Sequence, residues 1–131
     1  MTRREPKFLN VDLDVESREP LGRLADALPS LLVLFSGRVR GRHMLSMELS
    51  DPALLVDPTV RHMARTISRL SGEPKRLWQR ATKRCFNIGF ACGTRHAPSF
   101  LIDASSIQAI AALDATLAIK LYPAENGKRM A

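Results

Sequence analysis

The sequence predicts an α+β domain in which a mainly antiparallel sheet carries helices packed on one face. Three observations predict it. Segments that alternate apolar and polar residues, as half-buried strands do, are interspersed with segments whose apolar residues recur every three or four positions, as in amphipathic helices. Two pairs of strand-like segments are separated by short turn regions containing Gly or Pro and so read as hairpins, whereas a fully parallel sheet needs a crossover after every strand. At 131 residues and 45% hydrophobic composition the chain can close one core without staples. A single domain over 1–131 is expected, with 1–6 and 124–131 as flexible tails.

The predicted order is β-α-β-β-α-α-β-β-α-β. Phe8 to Glu16 places Leu9, Val11, Leu13 and Val15 on one face and Asn10, Asp12, Asp14 and Glu16 on the other, which is a half-buried strand. Leu21, Leu24, Ala25 and Leu28 then recur at helical spacing until Pro29 stops them. Leu31 to Phe35 is a continuous apolar run and reads as a central strand covered on both faces. Across the turn region Gly37 to Gly41, the segment His43 to Leu49 alternates and reads as its hairpin partner.

Asp57-Pro58-Thr59 opens the clearest helix, with Asp57 as candidate N-cap, Pro58 at the first helical position and a stripe of Val60, Met63, Ala64, Ile67 and Leu70. Gly72 ends it, and Pro74 begins a second helix in which Leu77, Trp78 and Ala81 face the core while Arg76, Arg80, Lys83 and Arg84 point outward. Phe86, Ile88 and Phe90 form a strand, and Phe100 to Ile102 reads as its return partner. Ser105 or Ser106 can cap a helix carrying Ile107, Ile110, Ala111 and Leu113, and Thr116 to Tyr122 alternates as the last strand.

The formal net charge is +7, which invites a polyanion-binding reading. Fifteen of the twenty basic residues are Arg, a bias that GC-rich codon usage produces without functional pressure. The charge is unevenly distributed. Val60 to Arg95 holds nine basic residues and one acid, Glu73, while Phe8 to Ala27 holds five acids and two arginines. Arg61, Arg65 and Arg69 repeat along one helix face, and Arg76, Arg80 and Arg84 follow. These six form a candidate basic binding surface that could track phosphates. The few aromatic residues sit at apolar positions and leave little for stacking bases, so a solvated face or one meeting an acidic protein is preferred.

Asp12, Asp14 and Glu16 form the candidate acidic surface. Alternation puts all three on one face, with neighbours about 6 to 7 Å apart, a spacing that could serve glycoside hydrolysis or bind a divalent ion. The simpler reading is a solvated strand face answered across the sheet by Arg40 or Arg42. His43, His62 and His96 lack metal-ligand spacing relative to each other and to the cysteines, so no metal is expected. Cys85 and Cys92, seven apart, would face opposite sides of one strand and read as structural thiols. No Gly-rich strand-to-helix turn is present, and no cofactor is expected. The chain has no apolar run long enough to span a bilayer, and its first residues do not continue into a signal-peptide core. A cytoplasmic location is expected.

Phe86-Asn87-Ile88-Gly89-Phe90, the gap before Ser99-Phe100, the Ile107 to Leu113 helix and the closing Thr116 to Tyr122 strand resemble a bacterial family known as domain of unknown function 4279. The opening strand Phe8 to Glu16 is also similar. The resemblance implies a small cytoplasmic α+β protein of bacteria, of the accessory or immunity type that acts by binding another protein, and it brings no catalytic residues.

The expected function is therefore a non-enzymatic protein–protein interaction module, whose partner is another protein or a second copy in a homodimer. The alternatives are a nucleic-acid-binding protein that uses the Arg-rich helix face and an enzyme with a carboxylate site on the first strand. The enzyme alternative uses Asp12, Asp14 or Glu16 with a histidine brought close by the fold, and requires a recess around these residues with raised carboxylate pKa values.

Overall fold

A computed structural model describes residues 5–50, 55–94 and 96–123. Its elements run β1 (Lys7–Ser17), α1 (Gly22–Asp26), β2 (Leu31–Val39), β3 (Arg42–Leu49), α2 (Val56–Ser68), α3 (Gly72–Arg80), β4 (Lys83–Ala91), α4 (Ala104–Ala112) and β5 (Thr116–Tyr122). The five strands form one sheet in the order β2-β3-β1-β4-β5. The tails expected at 1–6 and 124–131 fall largely outside the described residues.

The α+β class holds, with corrections to order and sheet type. β1 pairs antiparallel with β3 and β4, and β2 pairs antiparallel with β3, but β4 and β5 are parallel. The sheet is therefore mixed, and α4 is the crossover that parallel pairing demands. The hairpin partner expected at Phe100 to Ile102 is not a strand. Phe100 instead stacks on Phe90, with ring centroids 4.2 Å apart, from a segment without regular structure. An aromatic residue in a short apolar run marks a packing anchor as readily as a strand.

Alternation in β1 sets the layers. Val11, Leu13 and Val15 are buried and pair with Ile88 and Phe86 of β4 and with Met47 and Leu45 of β3, so one face of three adjacent strands is a continuous apolar row. Leu24 of α1, Val60, Met63 and Ile67 of α2, Leu77 and Trp78 of α3 and Ile110 of α4 join that row in one cluster. Burial of these side chains at about 1.5–3 kcal/mol each is what holds the fold. Leu9 does not belong to the row and is 40% exposed. A bulge between Phe8 and Asn10 hands its place to Phe8, which packs edge-on against Phe90.

The helix termini also depart from expectation. Leu55 and not Asp57 is the N-cap of α2, and the Asp57 carboxylate accepts hydrogen bonds from the Asp103 amide and the Ser106 hydroxyl. Asp103 in turn caps α4 by accepting from the Ser106 amide. Gly72 starts α3 instead of closing α2, with φ +58. α3 ends at Arg80, so Lys83 and Arg84 belong to β4 and not to an outward helix face. Trp78 is buried, and its indole donates to the Leu113 carbonyl at 3.2 Å.

Candidate functional site

The first candidate is the rim of the sheet at β2. Its hairpin with β3 closes through Arg40 and Gly41, both at positive φ, the conformation of the tight two-residue hairpin turn. β2 is an edge strand, which corrects the expectation of a central one. Leu31 is buried, but Leu32, Val33, Leu34 and Phe35 are 42–51% exposed. A second bulge, between Val33 and Phe35, interrupts the ladder to β3. Because of it Leu32 opposes Glu48 and Phe35 opposes Ser46, so both lie on the face away from the helices, with the Phe35 ring lying across Gly37. Val33 opposes Met47 on the helix side. Apolar side chains half exposed along the free edge of a sheet are the arrangement that soluble proteins avoid unless another strand adds to it.

The second candidate is the open face of the sheet. Asp12, Asp14 and Glu16 project together from β1, as alternation predicts. Arg42 reaches Glu16 at 4.0 Å, the cross-strand answer expected of Arg40 or Arg42. Glu48 of β3 joins the group across from Asp12 and, second to burial, raises its carboxyl. The alternation Met47, Glu48, Leu49 is the sequence signal that places Glu48 on the polar face; its position beside Asp12 depends on inter-strand register, which is not local. Asn10 donates to Asp12 at 3.1 Å, and Asn87 donates to Asp14. Gly89 leaves the floor open, since a Cβ there would meet the Asn10 side-chain oxygen at 2.8 Å. With Lys120 and Tyr122 of β5 these residues bound a recess of about 300 Å³. Partial burial, reinforced by Glu48 and Asp14, pushes the Asp12 carboxyl up to about 6.

Cys85 is buried beside Asp14, and burial pushes its thiol up, which keeps it protonated. Both cysteines are free. Among the described residues no three His, Cys, Asp or Glu converge to hold a metal ion, and no helix is long and apolar enough to cross a membrane.

The six arginines of the basic surface are largely engaged. Arg61 pairs with Asp103 at 3.3 Å, and Asp103 is held below the usual carboxylate range by hydrogen bonds from Ser105 and Ser106 with Arg61 beside it. Arg76 pairs with Glu73 and Glu19, and Arg80 reaches Glu19 at 3.1 Å. Arg84 is a structural residue. Its guanidinium donates to the carbonyls of Trp78, Gln79, Ala81 and Asp114 and to the Asp114 carboxylate, with its Cζ 6.0 Å from the Trp78 ring centroid. It ties the end of α3 to β4 and to the turn before β5. Arg65 and Arg69 make no ion pair among the described residues.

Comparison of the chain with protein-family models, with curated proteins and with solved structures gives no match.

Proposed function

We propose that this chain is a non-enzymatic protein–protein interaction module that takes an extended strand of a partner at the free rim of β2, in the accessory or immunity-type manner that the resemblance to domain of unknown function 4279 implies. The single observation that carries the reading is the run Leu32 to Phe35, four consecutive apolar residues 42–51% exposed on an edge strand. Strand addition supplies backbone hydrogen bonds for affinity and side-chain contacts for specificity. Arg38 and Arg40 at the hairpin tip favour a partner segment with acidic residues beyond its apolar core.

The test is capture on immobilised protein, comparing wild type with the double variant L32K/F35K. A stoichiometric partner retained by wild type and lost by the variant is the expected result. A partner retained equally by both would move the function away from β2.

The enzyme alternative gains from one observation, the Asp12 carboxyl raised to about 6 inside a recess. It predicts that small amines or guanidines shift the NMR signal of the Asp12 carboxyl near pH 6 and that Asp12→Asn abolishes the response; no shift at any pH removes it. The nucleic-acid alternative is weakened because Arg61, Arg76, Arg80 and Arg84 direct donors to acceptors of their own chain. Absence of DNA or RNA binding at low salt ends it.

A further inference from the structure

We propose that the strand taken at the rim is β2 of a second copy, paired antiparallel across a two-fold axis between Val33 and Leu34, so that two five-stranded sheets become one. The proposal rests on the strand-addition reading and names its partner.

Side-chain register carries it. Directly opposed residues of an antiparallel pair must lie on the same face. In a regular strand, a two-fold axis between two residues would oppose positions of unlike face and is forbidden. The bulge between Val33 and Phe35 removes that conflict, because Leu32 and Phe35, three apart, both lie on the open face. Leu32 of one copy then meets Phe35 of the other on the open face, and the bulged residues Val33 and Leu34 lie at the axis. The exposed run is thereby covered by its own counterpart, which is the self-complementarity that an isologous interface requires.

The two rims of the sheet differ in what they permit. Leu31 to Gly37 contains neither charge nor proline, two of the guards of an edge strand, and its bulge is a third. β5 carries Lys120 and is followed by Pro123. Pairing β2 to β5 would also be head-to-tail and would continue as a filament, whereas β2 to β2 closes on itself.

Charge selects the direction. The chain carries +7, and the hairpin tip holds Arg38, Arg40 and Arg42. Parallel pairing would set the two tips side by side. Antiparallel pairing sends them apart by about 40 Å, several times the Debye length of ~8 Å at physiological salt, so their repulsion is screened. Each tip instead extends towards the end of the partner's ladder that follows Asp26 and carries Glu48. Area sets the strength. Four side chains 42–51% exposed offer roughly 350 Å² of apolar surface per copy. With the strand backbone this stays below the ~800 Å² per partner of a standard interface, so association is expected in the micromolar range.

The test is sedimentation velocity from low to several hundred micromolar protein at physiological ionic strength. Wild type should pass from a 14.6 kDa monomer to twice that mass, with a midpoint of roughly tens of micromolar. L32K and F35K should weaken dimerisation at least tenfold while keeping the wild-type thermal transition in dilute protein, below the dimer midpoint, and Leu34→Ser provides a milder check on folding. L121K on the opposite rim should leave dimerisation unchanged. A single monomeric species throughout the range, or a dimer lost in L121K and kept in L32K, would overturn the proposal. A monomer whose capture of another protein still depends on Leu32 and Phe35 would overturn self-pairing alone; loss of that dependence as well would end the strand-addition reading.

Discussion

β1 and β2 are both rich in apolar residues and both pair with β3, yet they occupy opposite situations. β1 lies at the centre of the sheet with β3 and β4 on either side, its apolar row under the helices and its polar row on the open face. β2 lies at the rim, with one neighbour and with Leu32 to Phe35 exposed whichever way they point. The first strand completes its burial within the chain. The second has burial left over, and the difference separates residues that hold this fold together from residues available to something else.

Shortening a side chain in β1 should cost the fold most. Leu13 is fully buried between Met47 and Phe86. Leu13→Ala is expected to cost about 3–5 kcal/mol, the sum of lost transfer energy and a cavity that a close-packed centre cannot collapse. Urea denaturation measures it, and a cost under about 1 kcal/mol would mean that the sheet centre is loosely packed.

The next effect lies where β4 meets α3. The Arg84 side chain is 13% exposed and donates to four carbonyls. Arg84→Met keeps the stem but leaves those carbonyls short of a donor, so a loss of about 2–3 kcal/mol is expected by the same measurement. Arg65→Ala, on the exposed part of the basic surface, should change stability by less than about 0.5 kcal/mol. Equal losses would show that Arg84 is another solvated arginine.

The open face yields a smaller effect that depends on pH. Asp12 has its carboxyl raised from 3.8 to about 6, so the folded state holds a proton that the unfolded state has released. The contribution is complete below the unfolded value and lost as pH rises through about 6, hence stability should fall between about pH 4 and 6. Allowing for solvent screening of a partly exposed group, the loss is on the order of 1 kcal/mol. Asp12→Asn should recover that amount at pH 7 and flatten the slope in this window. A slope of opposite sign would mean that Asp12 is stabilised as the carboxylate.

Much of this arrangement is written locally in the chain. Alternation in β1 places Asp12, Asp14 and Glu16 on one face, and the stripes of α2 and α3 bury Val60, Met63, Ile67, Leu77 and Trp78. What is not local is order and register. A continuous apolar run such as Leu31 to Phe35 looks the same whether its own chain buries all of it or only Leu31, so its place at the rim is invisible until the sheet is assembled. The parallel β4–β5 pair hides for a related reason, because Phe100 to Ile102 carries the composition of a hairpin strand while serving as an anchor on Phe90. Arg84 is misread through helical period, which runs past Arg80 in sequence although the helix stops there. Asp57 has the residue type of a cap, but its carboxylate holds α4 instead.

The smallest expected effect on folding is also the one that separates the two strands most directly. Leu34→Ser removes an apolar side chain that is already 47% exposed, in a strand with no neighbour on its outer side. In dilute protein, below the dimer midpoint, the change should alter unfolding free energy by no more than about 0.5 kcal/mol, the usual range for surface positions. At several hundred micromolar the same substitution should lower the thermal midpoint relative to wild type, since a partner bound only to the folded state stabilises it by mass action and the variant forfeits that increment. Calorimetry at the two concentrations checks both halves. A large cost in dilute protein would make Leu34 part of the monomer's core and erase the distinction between β1 and β2. An equal and small cost at both concentrations would leave the rim open and unused by a second copy.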